Sequence, residues 1–102
     1  MIPEELSIKT IEKVYQQIKP YINTTPLIKA DNYIDSAFNS NIYLKYECFQ
    51  KSGSFKARGA INNILSSNEK DLENGITAVS AGNHAIAASY AANIFNLKNK
   101  IF

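Results

Sequence analysis

Ile76-Thr77-Ala78-Val79-Ser80-Ala81-Gly82-Asn83-His84 runs from strand formers straight into a small-residue turn, and the turn opens a helix. Residues 76–79 suit a pleated, half-buried surface. Ala81-Gly82-Asn83 is turn chemistry. The alanine-rich segment from His84 to Phe95 that follows is a strong helix former. Ala85, Ala88, Ala91 and Ala92 give that helix a face of small residues that can lie close against a sheet. Asn96 is placed to end it. Lys100-Ile101-Phe102 then reads as the first residues of another strand. A strand, a helix and a new strand in this order define α/β architecture with a parallel sheet.

The same alternation extends upstream. Ile42-Tyr43-Leu44-Lys45-Tyr46 is a strand, Glu47 to Gly53 a loop, and Ser54 to Leu65 a helix with Ala60, Ile61, Ile64 and Leu65 on one face. Asn74-Gly75 closes the polar stretch that follows. Near the start, Leu6, Ile8, Ile11, Val14, Tyr15 and Ile18 recur at helical spacing. Ser7 or Thr10 caps this helix and Pro20 ends it. Asn23-Thr24-Thr25-Pro26 is a turn, Leu27-Ile28 a short strand, and Asn32 to Phe38 a short helix. The pattern breaks off where a new strand begins. Residues 1–102 are therefore expected to be the N-terminal part of a domain truncated at its C-terminal end.

Composition excludes several classes. Hydrophobic residues make up 45% and charged residues 20%, an ordinary globular balance rather than that of a disordered tail. A net charge of +2 from scattered basic residues gives no basis for nucleic-acid or anionic-membrane binding. No apolar run has the length of a membrane span. Met1-Ile2-Pro3-Glu4-Glu5 lacks the basic and apolar regions of a secretory leader. Cys48 is the single cysteine, so no internal disulfide and no cysteine metal set exist. A cytoplasmic location is the expectation, with Cys48 a buried small hydrophobe.

Two segments carry chemistry. In Ser52-Gly53-Ser54-Phe55-Lys56-Ala57-Arg58-Gly59-Ala60 a lysine opens a helix behind a glycine-containing turn. The partial positive charge of a helix start disfavours an ammonium there, which serves a task needing a neutral amine, such as Schiff-base formation. Taken alone, Lys56 reads more simply as a solvated surface lysine. In Ser80-Ala81-Gly82-Asn83-His84 backbone N–H groups converge at a strand-to-helix junction, which suits a carboxylate or phosphate. The alternative is a tight turn with Asn83 as N-cap. His84, the only histidine, reads as a loop-propping hydrogen-bonding residue or a general base. Arg58 reads as a phosphate clamp or an ordinary ion-pairing residue.

Together these segments resemble a known family. Lys45-Tyr46-Glu47 through Gln50, followed by Gly53-Ser54-Phe55-Lys56-Ala57-Arg58-Gly59-Ala60, is similar to the cofactor-lysine motif of fold-type II pyridoxal-phosphate enzymes. Threonine dehydratase, serine dehydratase and serine racemase are members. Thr25-Pro26-Leu27 resembles the family's early Thr-Pro-Leu motif, and Ser80 to His84 its Ser-x-Gly-Asn-His loop. The resemblance covers nearly the whole chain, and three motifs in order are far more specific than one. It implies an incomplete N-terminal portion of a fold-type II (tryptophan synthase beta-like) catalytic domain, with a parallel sheet and flanking helices.

The resemblance also implies roles. Lys56 would bond the pyridoxal 5'-phosphate cofactor and move protons at the substrate Cα. Phe55 would pack beside the pyridine ring, and Asn83 would hydrogen-bond its phenolic oxygen. Ser80, Ala81, Gly82, Asn83 and His84 would hold the carboxylate of an amino-acid substrate. In a dehydratase the Cα proton and the β-hydroxyl leave, and the product hydrolyses to a 2-oxo acid and ammonia. Racemases resembling this sequence carry a serine where Ala81 stands, as acid/base on the opposite face, so Ala81 favours dehydratase over racemase. The family's glycine-rich phosphate loop has no counterpart here, since Gly53, Gly59, Gly75 and Gly82 are scattered. The 102-residue chain alone is thus expected to be inactive, and the full-length enzyme a homo-oligomer. Rival readings are a serine racemase-like enzyme and a remnant that binds small anions or a partner subunit without chemistry.

Overall fold

The computed structural model describes residues 6–102. The Met1–Glu5 segment, read above as no secretory leader, lies outside the described residues. Helix α1 spans Ile8–Ile18. Ser7 caps it, its hydroxyl accepting from the Thr10 N–H at 3.2 Å. Pro20 sits in a single 3-10 turn, Lys19–Tyr21, that ends it.

Strands β1, Leu27–Lys29, and β2, Tyr43–Lys45, pair antiparallel, with Ile28 opposite Leu44. Between them lies α2, Asn32–Phe38, capped by Asp31. Asp35 ties this unit together. One carboxylate oxygen accepts from the Ile42 N–H at 2.8 Å, and the other takes the Lys29 ammonium at 2.5 Å. The antiparallel pairing departs from the parallel sheet that strand-helix alternation predicts. The connection, built on a seven-residue helix, is near the minimum length for a parallel crossover.

Two 3-10 turns, Glu47–Phe49 and Lys51–Gly53, lead to α3, Lys56–Ser66. The short helix α4, Glu69–Leu72, capped by Asn68, falls where only a polar stretch was foreseen. Then β3, Ile76–Ala78, feeds α5, Asn83–Ile94, and β4, Asn99–Ile101. Strands β3 and β4 are parallel, Thr77 opposite Lys100, so the decisive stretch forms the βαβ unit it predicts. Gly75 makes this pairing possible. Its φ is +84°, and an added Cβ would run into the Lys98 carbonyl, whose oxygen accepts from the Ile76 N–H at 2.9 Å. Asn96, with φ of 54°, turns the chain out of α5.

The core lies between helices. Ile18, Ile61, Ile64 and Ala91 form its buried centre, ringed by Val14, Tyr21, Ile76 and Phe95. Helix α5 buries Ala87, Ala88, Ala91 and Ala92, and packs most extensively on α3. Ala88, Ala91 and Ala92 are buried as expected, Ala85 is half-buried, and Ala87 joins the buried face. That face serves helix–helix approach as well as the sheet. Ala57 of α3 is fully buried, so two alanine-bearing faces bring the helix backbones close.

Candidate functional site

Both motif segments reach one cleft. A cavity of about 460 Å³ is lined by Phe55, Lys56, Gly59, Ala60 and Asn63 from the start of α3, by Ile76, Thr77 and Ala78 of β3, and by His84 and Ala88 of α5. Lys56, Gly59, Ala60 and Asn63 follow i, i+3, i+4, i+7 spacing and so form one face of α3. His84 and Ala88 are likewise one turn apart on α5. The volume is in the range of small-molecule sites.

Lys56 is the first residue of α3 and half-buried. Among the described residues its ammonium has no hydrogen-bond or ion-pair partner. Phe55 is 62% exposed and stands at the rim. Beside them Gly59 leaves open space where a side chain would stand. An unengaged amine, an aromatic rim and a wall of Gly59, Ala60, Ala78 and Ala88 fit a flat aromatic ring held through Lys56. A glycine-rich cradle for its phosphate is not among the described residues.

The loop from β3 to α5 is fixed at its first residue. The Ser80 N–H donates to the Phe102 carbonyl at 3.0 Å, and the Ser80 hydroxyl accepts from the Gly82 N–H at 3.2 Å. Gly82, not Asn83, occupies the N-cap position, and Asn83 is the first helical residue. Ser80, Ala81, Gly82 and Asn83 stand on the loop leading to His84, outside the cleft wall; only His84 of the five lines it. Ala81, Asn83 and His84 are exposed.

A second set of residues, of which sequence reasoning gives a role only to Arg58, braces the lysine segment. Gln50 is buried, and its amide grips Asn23 on both sides. Its Oε1 accepts from the Asn23 N–H at 2.7 Å, and its Nε2 donates to the Asn23 carbonyl at 2.9 Å. Glu47 accepts from Arg58 twice, from Nε at 2.8 Å and from Nη2 at 2.7 Å, and from the buried Thr25 hydroxyl at 2.5 Å. Such fork-to-fork pairing is the strong form of ion pair. The Arg58 guanidinium holds the Glu47 carboxyl down to about 2, helped by Thr25, and Glu47 in turn raises Arg58. Arg58 is thus an ion-pairing residue, not a free anion clamp. The available signal was the 47/50 spacing: in a 3-10 turn residues three apart share a side. Glu47 and Gln50 turn inward, which leaves Cys48 outside. The expectation that Cys48 is buried is corrected, since the thiol is free and exposed.

Comparison with known proteins agrees with this geometry. Residues 18–102 match the family described as pyridoxal-phosphate dependent enzyme. The chain belongs to that family. It is 44% identical over 97 residues to the biosynthetic L-threonine dehydratase IlvA of Staphylococcus saprophyticus, covering 95% of this chain and 23% of that protein. It is 40% identical over 87 residues to a serine racemase of Arabidopsis thaliana, covering 85% and 26%. The crystal structure of the serine racemase from Dictyostelium discoideum superposes with a TM-score of 0.81 at 37% identity, covering 93% of this chain and 31% of that one. The chain thus spans about a quarter of the length of the curated relatives it matches. Members of the family use pyridoxal phosphate. Among the described residues no helix is long and apolar enough to cross a membrane, and no cluster of His, Cys, Asp and Glu could hold a metal.

Proposed function

We propose that this chain is the N-terminal part of a pyridoxal-phosphate-dependent dehydratase that converts threonine or serine to a 2-oxo acid and ammonia. The observation that carries the reading is the shared cleft: Lys56 of one motif and His84 of the other line one cavity. Pyridoxal phosphate, when bound, supplies an electron sink for the substrate's Cα. Lys56 would hold the cofactor and take the Cα proton. Phe55 would pack beside the ring, and Asn83 would donate to its phenolic oxygen. Ser80 and the backbone from Ala81 to His84 receive the substrate carboxylate at the start of α5, where the helix dipole favours an anion. Loss of the Cα proton and of the β-hydroxyl leaves an unsaturated amine, which water converts to the 2-oxo acid and ammonia.

The similarity to serine racemases supports a second reading, inversion at Cα. Inversion needs a proton donor on each face, and Ala81 carries none. The test is turnover by the protein expressed from its full reading frame with pyridoxal phosphate. Ammonia and 2-oxo acid from L-threonine or L-serine are expected, with a loss of roughly 10³-fold or more in Lys56→Ala. D-serine as the main product would replace the dehydratase reading with the racemase one, and Ala81→Ser should raise that product if the serine is the missing acid. The 102-residue chain alone is expected to release neither product; turnover by it would contradict the need for further anchoring residues.

A further inference from the structure

We propose that Arg58, clamped by Glu47, is a positioning residue that fixes the rotation of the first turn of α3 and thereby aims Lys56 into the cleft. The inference rests on the reading above that Lys56 carries the cofactor. Helical residues are 100° apart, so Lys56 and Arg58 project about 200° apart from the same turn. The surroundings agree. Lys56 lines the cofactor cleft, whereas Arg58 lines the grooves on the side of α1, beside Val14, Tyr15 and Ile18.

The buried Ala57 packs the first turn of α3 into the fold. Its backbone ties are short-range, from the Ala57 N–H to the Ser54 carbonyl at 3.4 Å and from the Arg58 N–H to the Phe55 carbonyl at 3.1 Å, and Phe55, at the N-cap, offers no side-chain hydrogen bond. The segment before it, Ser52-Gly53, runs through two left-handed residues with φ of 60° and 73°. The side-chain hydrogen bond that ties this turn to the rest of the fold is the two-pronged one from Arg58 to Glu47. Glu47 is itself held by the Thr25 hydroxyl, and Thr25 is 4% exposed. The anchor therefore runs from the Thr25-Pro26-Leu27 motif, through Glu47, to the far side of the lysine's own helical turn. The lysine amine lies ~8 Å from the helix axis, so a rotation of ~15° moves it by about 2 Å. Misplacement by about 1 Å can cost about 10²-fold in rate.

The measurement is the rate at which Lys56 becomes labelled when the full-reading-frame protein is mixed with pyridoxal phosphate, quenched with borohydride and mapped by peptide mass. Label at the exposed Lys29 and Lys70 serves as internal reference, and each variant is assayed well below its melting midpoint. Arg58→Gln and Glu47→Gln are each expected to slow labelling of Lys56 by about 10- to 100-fold and to leave the reference lysines unchanged. The double variant should be no slower than either single one, because both remove the same tie. Arg58→Lys keeps the charge but loses the fork, so it should be nearly as slow as Arg58→Gln. Should the Arg58 variants fail to fold, the near-isosteric Glu47→Gln decides alone. Labelling of Lys56 at the wild-type rate in Glu47→Gln, or in a folded Arg58→Lys, overturns the inference and leaves the cofactor reading intact. A wild-type protein that takes no label at Lys56 overturns both.

Discussion

Glu47 shows how one side chain can carry several elements. Its two oxygens receive Arg58 of α3 and Thr25 of the segment before β1. The carboxyl is held to about 2 against an ordinary value of 4.5, with the Arg58 hydrogen bonds as the largest cause and Thr25 helping. A carboxylate depressed in the folded state contributes stability in full above its unfolded value, and loses it as pH falls through the folded one. Stability is therefore expected to decline between about pH 4.5 and 2, and Glu47→Gln should flatten that decline. Because the pair is only partly shielded from water, the loss in Glu47→Gln at pH 7 should be about 1–2 kcal/mol. Urea melts of both proteins at pH 7 and pH 3 check this. A wild-type slope unaltered in Glu47→Gln would assign the acid sensitivity to other carboxylates such as Asp35, which Lys29 and the Ile42 N–H also hold down. Lys56 and Phe55, which line the cleft, stand out in the sequence because their motif is local and contiguous. Thr25, Glu47 and Gln50 stand in motifs whose local pattern gives them no role. Their work depends on partners 11 to 27 residues away, and local pattern carries no such pairing. Cys48 was misjudged for the same reason: residue type predicts average burial, while the turn's threefold repeat decides which side faces out.

At the scale of elements, periodicity did its part where helices are long and failed where contacts choose. Helices α1, α3 and α5 start and stop within one or two residues of the expected positions, because Ser7, Pro20 and Asn96 are explicit signals and the spacing of apolar and small residues marks the rest. Strand β4 emerged from three residues, and its pairing with β3 followed from the βαβ order. The antiparallel β1–β2 pair did not follow, since alternation of elements says nothing about direction when the connection is short. Gly75 offers the sharpest test at this scale. Its left-handed backbone and the Lys98 carbonyl beside it leave no room for a methyl group. Gly75→Ala should destabilise the protein by about 2–3 kcal/mol and loosen the β3–β4 pairing that anchors Ser80. Chemical denaturation of the variant checks the magnitude. A loss near zero would mean that the turn before β3 relaxes without cost, and that Ser80 is not fixed by this pairing.

In the molecule as a whole, the candidate cleft lies where two helices meet over a strand. The molecule measures 51 × 32 × 24 Å, and its buried centre sits among α1, α3 and α5. Closely packed alanine faces of α3 and α5 set the distance between Lys56 and His84, and the sheet end formed by β3 floors the cleft. Selective capture of pyridoxal phosphate by Lys56 tests this arrangement most directly. The protein is incubated with pyridoxal phosphate, reduced with borohydride, digested, and every lysine-containing peptide is weighed. The account predicts the phosphopyridoxyl adduct at Lys56 well above every other lysine, with the excess abolished by free cofactor analogue. Label spread evenly over the lysines, or concentrated at one outside the cleft such as Lys29 or Lys45, would contradict it.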